Sequence, residues 1–308
     1  MPERPAVVLD CDPGQDDAVA LVLAGRHTEL LGVTTVSGNV PLESTTRNAL
    51  VMTQLLGLDV PVHAGADRPL LAPPRHAGEV HGETGLDGAQ LPPLTRRAAA
   101  GHAVETLIET VRAAPGCWLV VTGPMTNVAL ALRQAPDLAS LVGGISFMGG
   151  SATIGNVTPT AEFNIWCDPE AAMIVLESGV RLRMAGLNVT HEVRATRERI
   201  AAVRDLGTES ARVVADLLTF YGTRYAERLN DDGGAPLHDP VAVVAVTHPH
   251  LIEHVTYPVT ISRAGPTRGM TIVDRRPAGA EGAPVEVAMA ADADAIFRLL
   301  VDTLATYP

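Results

Sequence analysis

The chain has few cysteines and no long hydrophobic run, and each deficit argues against a class of protein. Only three cysteines occur in the 308 residues, at positions 11, 117 and 167. Three scattered cysteines without a CxxC pair argue against a disulfide framework and a cysteine zinc site, and they fit a reducing compartment. The apolar run at residues 6–9 is too short for a signal peptide and no stretch is long enough to span a membrane, so the sequence predicts a cytoplasmic protein.

Basic residues are also scarce. The chain has 23 Lys+Arg against 35 Asp+Glu, which gives a formal net charge of -12. A general nucleic-acid binder needs a basic face, and an anionic membrane surface repels an acidic protein, so neither partner is expected. Neutral small molecules and cations remain as partners. The hydrophobic fraction of 46% is typical of a soluble globular protein whose core needs no covalent staples.

Short apolar runs alternate with helical patterns along the chain. Strands are predicted at 6–9, 30–36, 61–64, 117–121, 141–148 and 181–185, and helices at 16–24, 41–56, 98–113, 126–133 and 169–178. Further helical patterns cover 196–229 and 239–247, and three strand-like runs between 255 and 289 precede a last helix at 291–304. This alternation predicts one α/β domain, residues 1–308, with a mostly parallel central sheet flanked by helices.

The strongest chemical signal is a cluster of carboxylates directly after the first predicted strand. Four of them fall within eight residues, in the segment Asp10-Cys11-Asp12-Pro13-Gly14-Gln15-Asp16-Asp17. Ligands of open α/β sheets bind at this edge. Helix capping explains one Asp, but four converging negative charges need a counter-charge, and the segment has no Lys or Arg. Calcium binds about six to eight oxygens in irregular geometry, so the cluster predicts a calcium site.

Two familiar acidic loops compete with this interpretation. An EF-hand needs Gly at its sixth position and Glu at its twelfth, where this chain has Gln15 and Leu21, so that motif is excluded. Phosphatases of the haloacid-dehalogenase type also place Asp-x-Asp after a first strand. They usually carry Thr or Val two residues after the second Asp, where this chain has Gly14. A magnesium-dependent phosphohydrolase with Asp10 as its nucleophile is therefore kept as the alternative enzyme.

His238-Asp239-Pro240 opens a predicted apolar helix and supplies a second group of polar side chains. Asp239 could reach the cation, while His238 faces a ligand, because His is the usual side chain for proton transfer near neutral pH. An N-cap Asp beside an exposed His explains the same motif equally well.

Further polar segments follow the predicted strands. Asn156, Glu162 and Asn164 are placed on a loop, where their groups suit the hydroxyls of a sugar. The segment Thr122 to Asn127 leaves a carbonyl free to face a cation, and Asn39 fits either a ligand contact or a turn. Asp168-Pro169 is predicted to start a helix, and Trp166 to lie in the core.

Together these motifs resemble the inosine-uridine nucleoside hydrolase family. The resemblance rests on six segments in the family's order, at residues 10–17, 37–39, 122–127, 148–150, 161–164 and 238–240. It covers nearly the whole chain, and the Asp cluster is its most specific part. It implies a Rossmann-like core, assembly as a homodimer or homotetramer, and calcium-dependent hydrolysis of the N-glycosidic bond of ribonucleosides to ribose and free base.

The resemblance also implies roles for individual residues. The calcium ligands would be Asp12, Asp17, Asp239 and the carbonyl of Thr122. Asp12 would be the general base, His238 would assist departure of the base, and Asp10 would act from behind the ligands. The substrate would be held by Asp16, Asn39, His81, Met148, Asn156, Glu162 and Asn164.

The sequence leaves the base preference open. Loops at 75–90 and 221–237 are expected to bind the base, and they contain His76, His81, Glu83, Tyr221, Tyr225, Arg228 and Asn230. The end of the second loop has no aromatic residue to stack on a purine, which does not by itself establish a pyrimidine preference. A calcium-dependent nucleoside-binding protein without turnover is the alternative that is not an enzyme, and an intact Asp12 and His238 argue against it.

Overall fold

The computed structural model describes residues 4–229 and 233–308. Its strands are β1 Ala6–Cys11, β2 Glu29–Thr35, β3 Val62–Ala64, β4 Trp118–Val121, β5 Gly144–Met148, β6 Leu182–Ala185, β7 Arg194–Ala195, β8 Ala235–Pro236, β9 Ile252–Ile261, β10 Thr271–Val273 and β11 Ala283–Ala291. Its helices are α1 Gln15–His27, α2 Leu42–Leu55, α3 Gly78–His81, α4 Ala103–Ala113, α5 Thr126–Gln134, α6 Leu138–Leu141, α7 Phe163–Cys167, α8 Pro169–Leu176, α9 Leu187–Thr190, α10 Arg197–Arg204, α11 Glu209–Leu229, α12 Asp239–Thr247 and α13 Ala293–Leu304.

Nine of the strands form one sheet in the order β10-β9-β11-β6-β5-β4-β1-β2-β3. From β3 across the sheet to β11, each strand is parallel to the next. Strand β9 pairs antiparallel with both β11 and β10. The chain moves outward from β1 to β3 and then returns to β4 on the other side of β1. This reversal opens a crevice at the carboxyl ends of β1 and β4, which is where ligands bind in such sheets. The predicted α/β fold is confirmed.

Helices cover both faces of the sheet, and this explains why the run of residues 7–9 in β1 is continuously apolar. Val7 and Leu9 belong to the hydrophobic cluster shared with α1, α11, α12 and α13, whereas Val8 belongs to the cluster shared with α4, α5 and α8. Successive side chains of a strand point to opposite faces, so a strand buried on both faces has no polar alternation. Among the described residues, no helix combines the length and the hydrophobicity needed to cross a membrane.

The sequence misplaced several boundaries for local reasons. The predicted strand at 141–148 begins only at Gly144, because Leu138–Leu141 forms a short helix. The predicted helix at 98–113 begins at Ala103, after His102 accepts the backbone N–H of Val104. The helical pattern over 196–229 is two helices, separated where Gly207 takes a φ of 73°, which favours glycine.

The two loops expected to bind the base also contain regular structure. The segment 75–90 includes α3. The prediction of a loop beginning at 221 is wrong, because residues 221–229 are the last part of α11. Asn230 and the two aspartates after it lie outside the described residues, as does the side chain of Arg228.

The packing predicts that α1 stabilises the whole domain. Leu21 is fully buried on α1, which packs against α2, α11, α12 and α13. We expect Leu21→Ala to lower the free energy of unfolding by about 3 kcal/mol, because it removes buried methyl groups and leaves a cavity. Urea denaturation of both proteins measures the difference. Leu71→Ala is the matched control, since Leu71 is 79% exposed and its loss should change stability by less than about 0.5 kcal/mol.

Candidate active site

The carboxylate of Asp12 lies between two glycines at the end of β1. Its Oδ2 accepts the backbone N–H of Asn39 at 2.6 Å, and its Oδ1 is buried with no hydrogen-bond partner among the described residues. A Cβ atom added at Gly38 would lie 2.0 Å from Oδ2, and one added at Gly123 would lie 2.7 Å from Oδ1. Only glycine leaves room for this carboxylate, so both positions help to set its place.

Asp17 combines the capping role and the site role that the sequence left open. Its Oδ2 accepts the backbone N–H of Gly14 at 2.9 Å, which caps the first turn of α1. The same carboxylate accepts hydrogen bonds from Asn39 Nδ2 at 3.2 Å and from Thr122 Oγ1 at 2.7 Å. The side chain therefore ties the loops after β1, β2 and β4 to one another.

Asp16, Asp17 and Asp239 bring their carboxylates together, with one oxygen from each within 4.8 Å of the others. All three are buried, and the ion pairs between described residues include none to them. Burial and the charge of Asp17 raise the pKa of Asp16 to about 8, and burial and the charges of Asp16 and Asp17 raise the pKa of Asp239 far above its usual range. Three buried carboxylates that repel one another in this way are stabilised by a bound cation.

Asn164 lies in the short helix α7, so the expectation that it lies in a loop is wrong, whereas Glu162 lies in the loop as expected, directly before the helix. Glu162 precedes α7 and accepts the backbone N–H groups of Asn164 and Ile165, as a capping residue does. Burial raises the pKa of Glu162 to about 7. Asn164 Nδ2 donates to the carbonyl of Thr122 at 2.7 Å and to that of Met148 at 3.2 Å. The Thr122 carbonyl thus has a protein donor already, although its second lone pair remains.

A cavity of about 400 Å³ opens above these groups. All seven residues predicted to hold the substrate line it, together with three of the other predicted site residues: Asp16, Asn39, His81, Met148, Asn156, Glu162 and Asn164, and Thr122, His238 and Asp239. Asp12 and Asp17 do not line it and lie beneath. The structure therefore brings the predicted residues of distant segments to one place.

Histidine and tyrosine side chains form one end of the cavity. His81 stacks on Tyr221 with ring centroids 5.4 Å apart, and Tyr221 meets the edge of Tyr225 at 5.8 Å. Tyr225 lies 6.4 Å from His238, whose Nδ1 is 2.7 Å from the hydroxyl of Thr190. Burial, followed by the charge of the nearby His191, lowers the pKa of His238 far below its usual value, so its imidazole is neutral at pH 7.

The lining also contains residues that the sequence did not assign to the site. Trp166 was predicted to lie in the core, but it is half-buried and lines the cavity with Phe163. Arg75 lies over its ring at 5.0 Å. Periodicity alone cannot distinguish an apolar side chain that faces the core from one that faces a cavity. The feature of the sequence that could have placed them at the site is that Phe163 and Trp166 lie one helical turn apart directly after Glu162, itself a predicted site residue.

A cavity of this size, lined by amides and carboxylates at the reversal point of a parallel sheet, is typical of an α/β enzyme for a small polar substrate. The family model of the inosine-uridine preferring nucleoside hydrolases matches residues 7–298. The chain therefore belongs to the inosine-uridine preferring nucleoside hydrolase family, and it is an enzyme of that class.

Individual relatives agree over nearly the full length. The pyrimidine-specific ribonucleoside hydrolase RihA of Shewanella sp. (strain ANA-3) is 42% identical over 306 residues, which cover 98% of this chain and 96% of that protein. RihB of Escherichia coli O17:K52:H18, also pyrimidine-specific, is 37% identical and covers 99% and 98%. The solved purine-preferring ribonucleoside hydrolase from Gardnerella vaginalis superposes with a TM-score of 0.91 at 33% identity, covering 97% and 98%.

The alternative phosphohydrolase is not favoured. Its nucleophile would be Asp10, whose Oδ1 is held by Thr34 Oγ1 at 2.6 Å and Asn127 Nδ2 at 2.8 Å. Asp10 is fully buried and is not among the described residues that line the cavity. A substrate in the cavity would not meet it.

The glycines around Asp12 lead to a direct test. We expect Gly38→Ala to lower ribose release by about a hundredfold, because its Cβ would displace the Asp12 carboxylate, and a shift of about 1 Å has this effect on catalysis. Gly32→Ala is the matched control, since a Cβ there would meet nothing within 4 Å. The assay is steady-state ribose release, with thermal melting to show that both variants fold. Equal activity of the two variants would contradict the role given to the Asp12 position.

Proposed function

We propose that the protein hydrolyses the N-glycosidic bond of ribonucleosides to ribose and free base, with one calcium ion bound by Asp12, Asp17, Asp239 and the carbonyl of Thr122. The observation that carries the proposal is a set of buried carboxylates at a cavity lined by groups that bind sugar hydroxyls, with carboxylate oxygens to which no described residue hydrogen-bonds. Assembly as a homodimer or homotetramer and a cytoplasmic location belong to the same proposal.

The donor set fits a hard cation. Carboxylate and carbonyl oxygens are the ligands that calcium prefers, and no histidine or cysteine belongs to the cluster of Asp16, Asp17 and Asp239. Asp12 Oδ1 and Asp16 Oδ1 are buried without a hydrogen-bond partner among the described residues. Because Asp16 lines the cavity while Asp12 and Asp17 lie beneath it, we assign Asp16 to the sugar hydroxyls. When bound, calcium would lower the pKa of a water ligand and neutralise the carboxylates.

We assign the role of general base to Asp12. Its Oδ2 is held by the backbone of Asn39, which leaves Oδ1 as the free oxygen of a carboxylate fixed between two glycines. A base held in this way can take a proton from water without first changing its own position.

The sugar side of the cavity suits a substrate that becomes positively charged. Cleavage of a glycosidic bond develops positive charge on the sugar, and fixed carboxylates such as Asp16 and Glu162 stabilise it. Asn164 uses its NH2 group for the carbonyls of Thr122 and Met148, so its amide oxygen is left for a hydroxyl of ribose.

We assign protonation of the leaving base to His238. It adjoins Asp239 in sequence, lines the cavity and keeps its Nε2 for the ligand while Nδ1 contacts the Thr190 hydroxyl. The acid is the protonated ring, which carries N–H at both nitrogens and which the lowered pKa makes a stronger acid. It gives the Nε2 proton to the departing base and is left neutral, with Nδ1–H donating to the Thr190 hydroxyl. The relatives RihA and RihB, which are 42% and 37% identical to this chain, are named as pyrimidine-specific. On that ground we propose pyrimidine ribonucleosides as the preferred substrates.

Calcium removal tests the function directly. We expect the protein to release ribose from uridine and cytidine faster than from inosine, adenosine and guanosine, and to lose this activity when a chelator removes the metal. Calcium at about a hundred times its Kd should also stabilise the fold by about 2.7 kcal/mol, measured as a rise in melting temperature.

The variant Asp239→Asn makes this test more specific, because it should affect the stability of the metal-free protein and that of the calcium-bound protein in opposite directions. It removes a negative charge from a repelling group, so the metal-free variant should melt no lower than the wild type, yet calcium should no longer raise its melting temperature. Asp216→Asn is the control, since Asp216 pairs with Arg204 at 2.8 Å away from the site. An unchanged calcium response in Asp239→Asn would exclude Asp239 as a ligand.

The leaving-group role of His238 has its own test. We expect His238→Ala to lower kcat on uridine by about a hundredfold, the usual scale for loss of a general acid. On p-nitrophenyl riboside the loss should be far smaller, because nitrophenolate departs without a proton. Equal losses on both substrates would show that His238 supports the sugar or the metal loop instead.

A further inference from the structure

We propose that Gln15 is a positioning residue that holds His81 in a single tautomer, so that His81 offers a hydrogen-bond acceptor to the bound nucleoside. The inference rests on the proposed use of the cavity as the nucleoside site. Gln15 is fully buried and is not among the described residues that line the cavity, whereas His81 does line it. Gln15 therefore acts through His81.

The hydrogen bonds of Gln15 determine the orientation of its amide. Its Nε2 lies 3.1 Å from the carbonyl oxygen of His81 and 3.3 Å from that of Asp87. A carbonyl oxygen only accepts hydrogen bonds, so the atom that faces the two carbonyls must be the NH2 group. The amide oxygen then points to His81, where Oε1 lies 2.7 Å from Nδ1.

This orientation determines the tautomer of His81. An amide oxygen only accepts, so His81 Nδ1 must carry the hydrogen of this bond. Burial lowers the pKa of His81 to about 3, which keeps the ring neutral at pH 7. A neutral imidazole has one N–H, so Nε2 carries a lone pair. No described residue donates a hydrogen bond to Nε2, and that lone pair is left for a ligand in the cavity.

The surroundings of His81 indicate which part of the nucleoside it reads. Tyr221 covers one face of its ring, and Tyr221 contacts Tyr225, which lies beside His238 at the end proposed for the leaving base. Gly14 leaves space for the ring, because a Cβ there would lie 2.4 Å from His81 Nδ1. We therefore assign the acceptor to an N–H donor of the base, such as N3–H of uridine.

The two histidines of the cavity thus have different chemistry. His238 contacts a hydroxyl, which accommodates either tautomer, whereas His81 contacts an amide oxygen, which accommodates only one. His238 can move a proton, and His81 is held as an acceptor.

The tautomer can be measured without substrate. In the metal-loaded protein with 15N-labelled histidine, NMR should show His81 protonated at Nδ1, its signal being assigned by loss in His81→Asn. Gln15→Leu should shift His81 towards the Nε2–H form that free histidine prefers in water. Gln15→Glu should keep the Nδ1–H form, because it retains the acceptor while losing the two amide N–H donors. A wild-type His81 protonated at Nε2 would overturn the proposal.

Kinetics test the consequence for substrate. We expect Gln15→Leu to raise the KM for uridine about tenfold with a smaller change in kcat, the scale of one lost hydrogen bond. The KM for 3-methyluridine, which lacks the N–H, should not rise further in Gln15→Leu, and Gln15→Glu should recover most of the uridine binding. If 5′-deoxyuridine rather than 3-methyluridine proved insensitive, the donor would be the ribose 5′-hydroxyl and the assignment to the base would fail.

A matched control separates tautomer from loop anchoring. Gln54 anchors the segment 82–102, which follows α3, contains neither helix nor strand and also includes Asp87, by hydrogen bonds to Pro93 and Thr95 outside the cavity. Gln54→Leu should leave the KM for uridine and the His81 signal unchanged. If Gln15→Glu behaved like Gln15→Leu in KM while keeping the Nδ1–H signal, anchoring alone would explain the effect. A wild-type protein that released no ribose would refute the proposed function and leave the NMR result standing.

Discussion

The site depends on one constraint, the burial of like charges that pair with no basic side chain among the described residues. Asp10, Asp12, Asp16, Asp17 and Asp239 are all buried at one edge of the sheet. The chain supplies Asp10, Asp12 and Asp17 with N–H and O–H donors, from Asn39, Thr34, Thr122 and Asn127, and these donors stabilise a carboxylate without cancelling its charge. The uncancelled charge remains available to a cation and to a sugar that becomes positive during bond cleavage.

The fold places helix ends where they ease this burial. Asp16 and Asp17 lie in the first turn of α1, and Asp239 begins α12. The N-terminus of a helix carries partial positive charge, which favours nearby anions, and both helices begin at the crevice beside β1. The reversal of strand order between β1 and β4 is what allows loops from both halves of the sheet to meet there.

Local patterns predicted much of this arrangement, and failures occurred where contacts are distant in sequence. Apolar runs located the sheet, and the Asp cluster and His238-Asp239 located the site, because each pattern is contained within a few residues. Trp166 was misplaced because an apolar side chain on a short helix faces either core or cavity with the same spacing. The pairing of Gln15 with His81 spans 66 positions, and no local pattern encodes it.

Helix α1 serves two parts of the molecule at once. Its apolar side chains, Leu21 among them, fill the interior against α2, α11, α12 and α13, and its first turn presents Asp16 and Asp17. A change that shifts α1 within the interior also moves these carboxylates, since a helix moves as a rigid rod. Substitutions in this part of the interior are therefore selected for their effect on catalysis as well as on stability. Repacking this face for heat tolerance is expected to change turnover too.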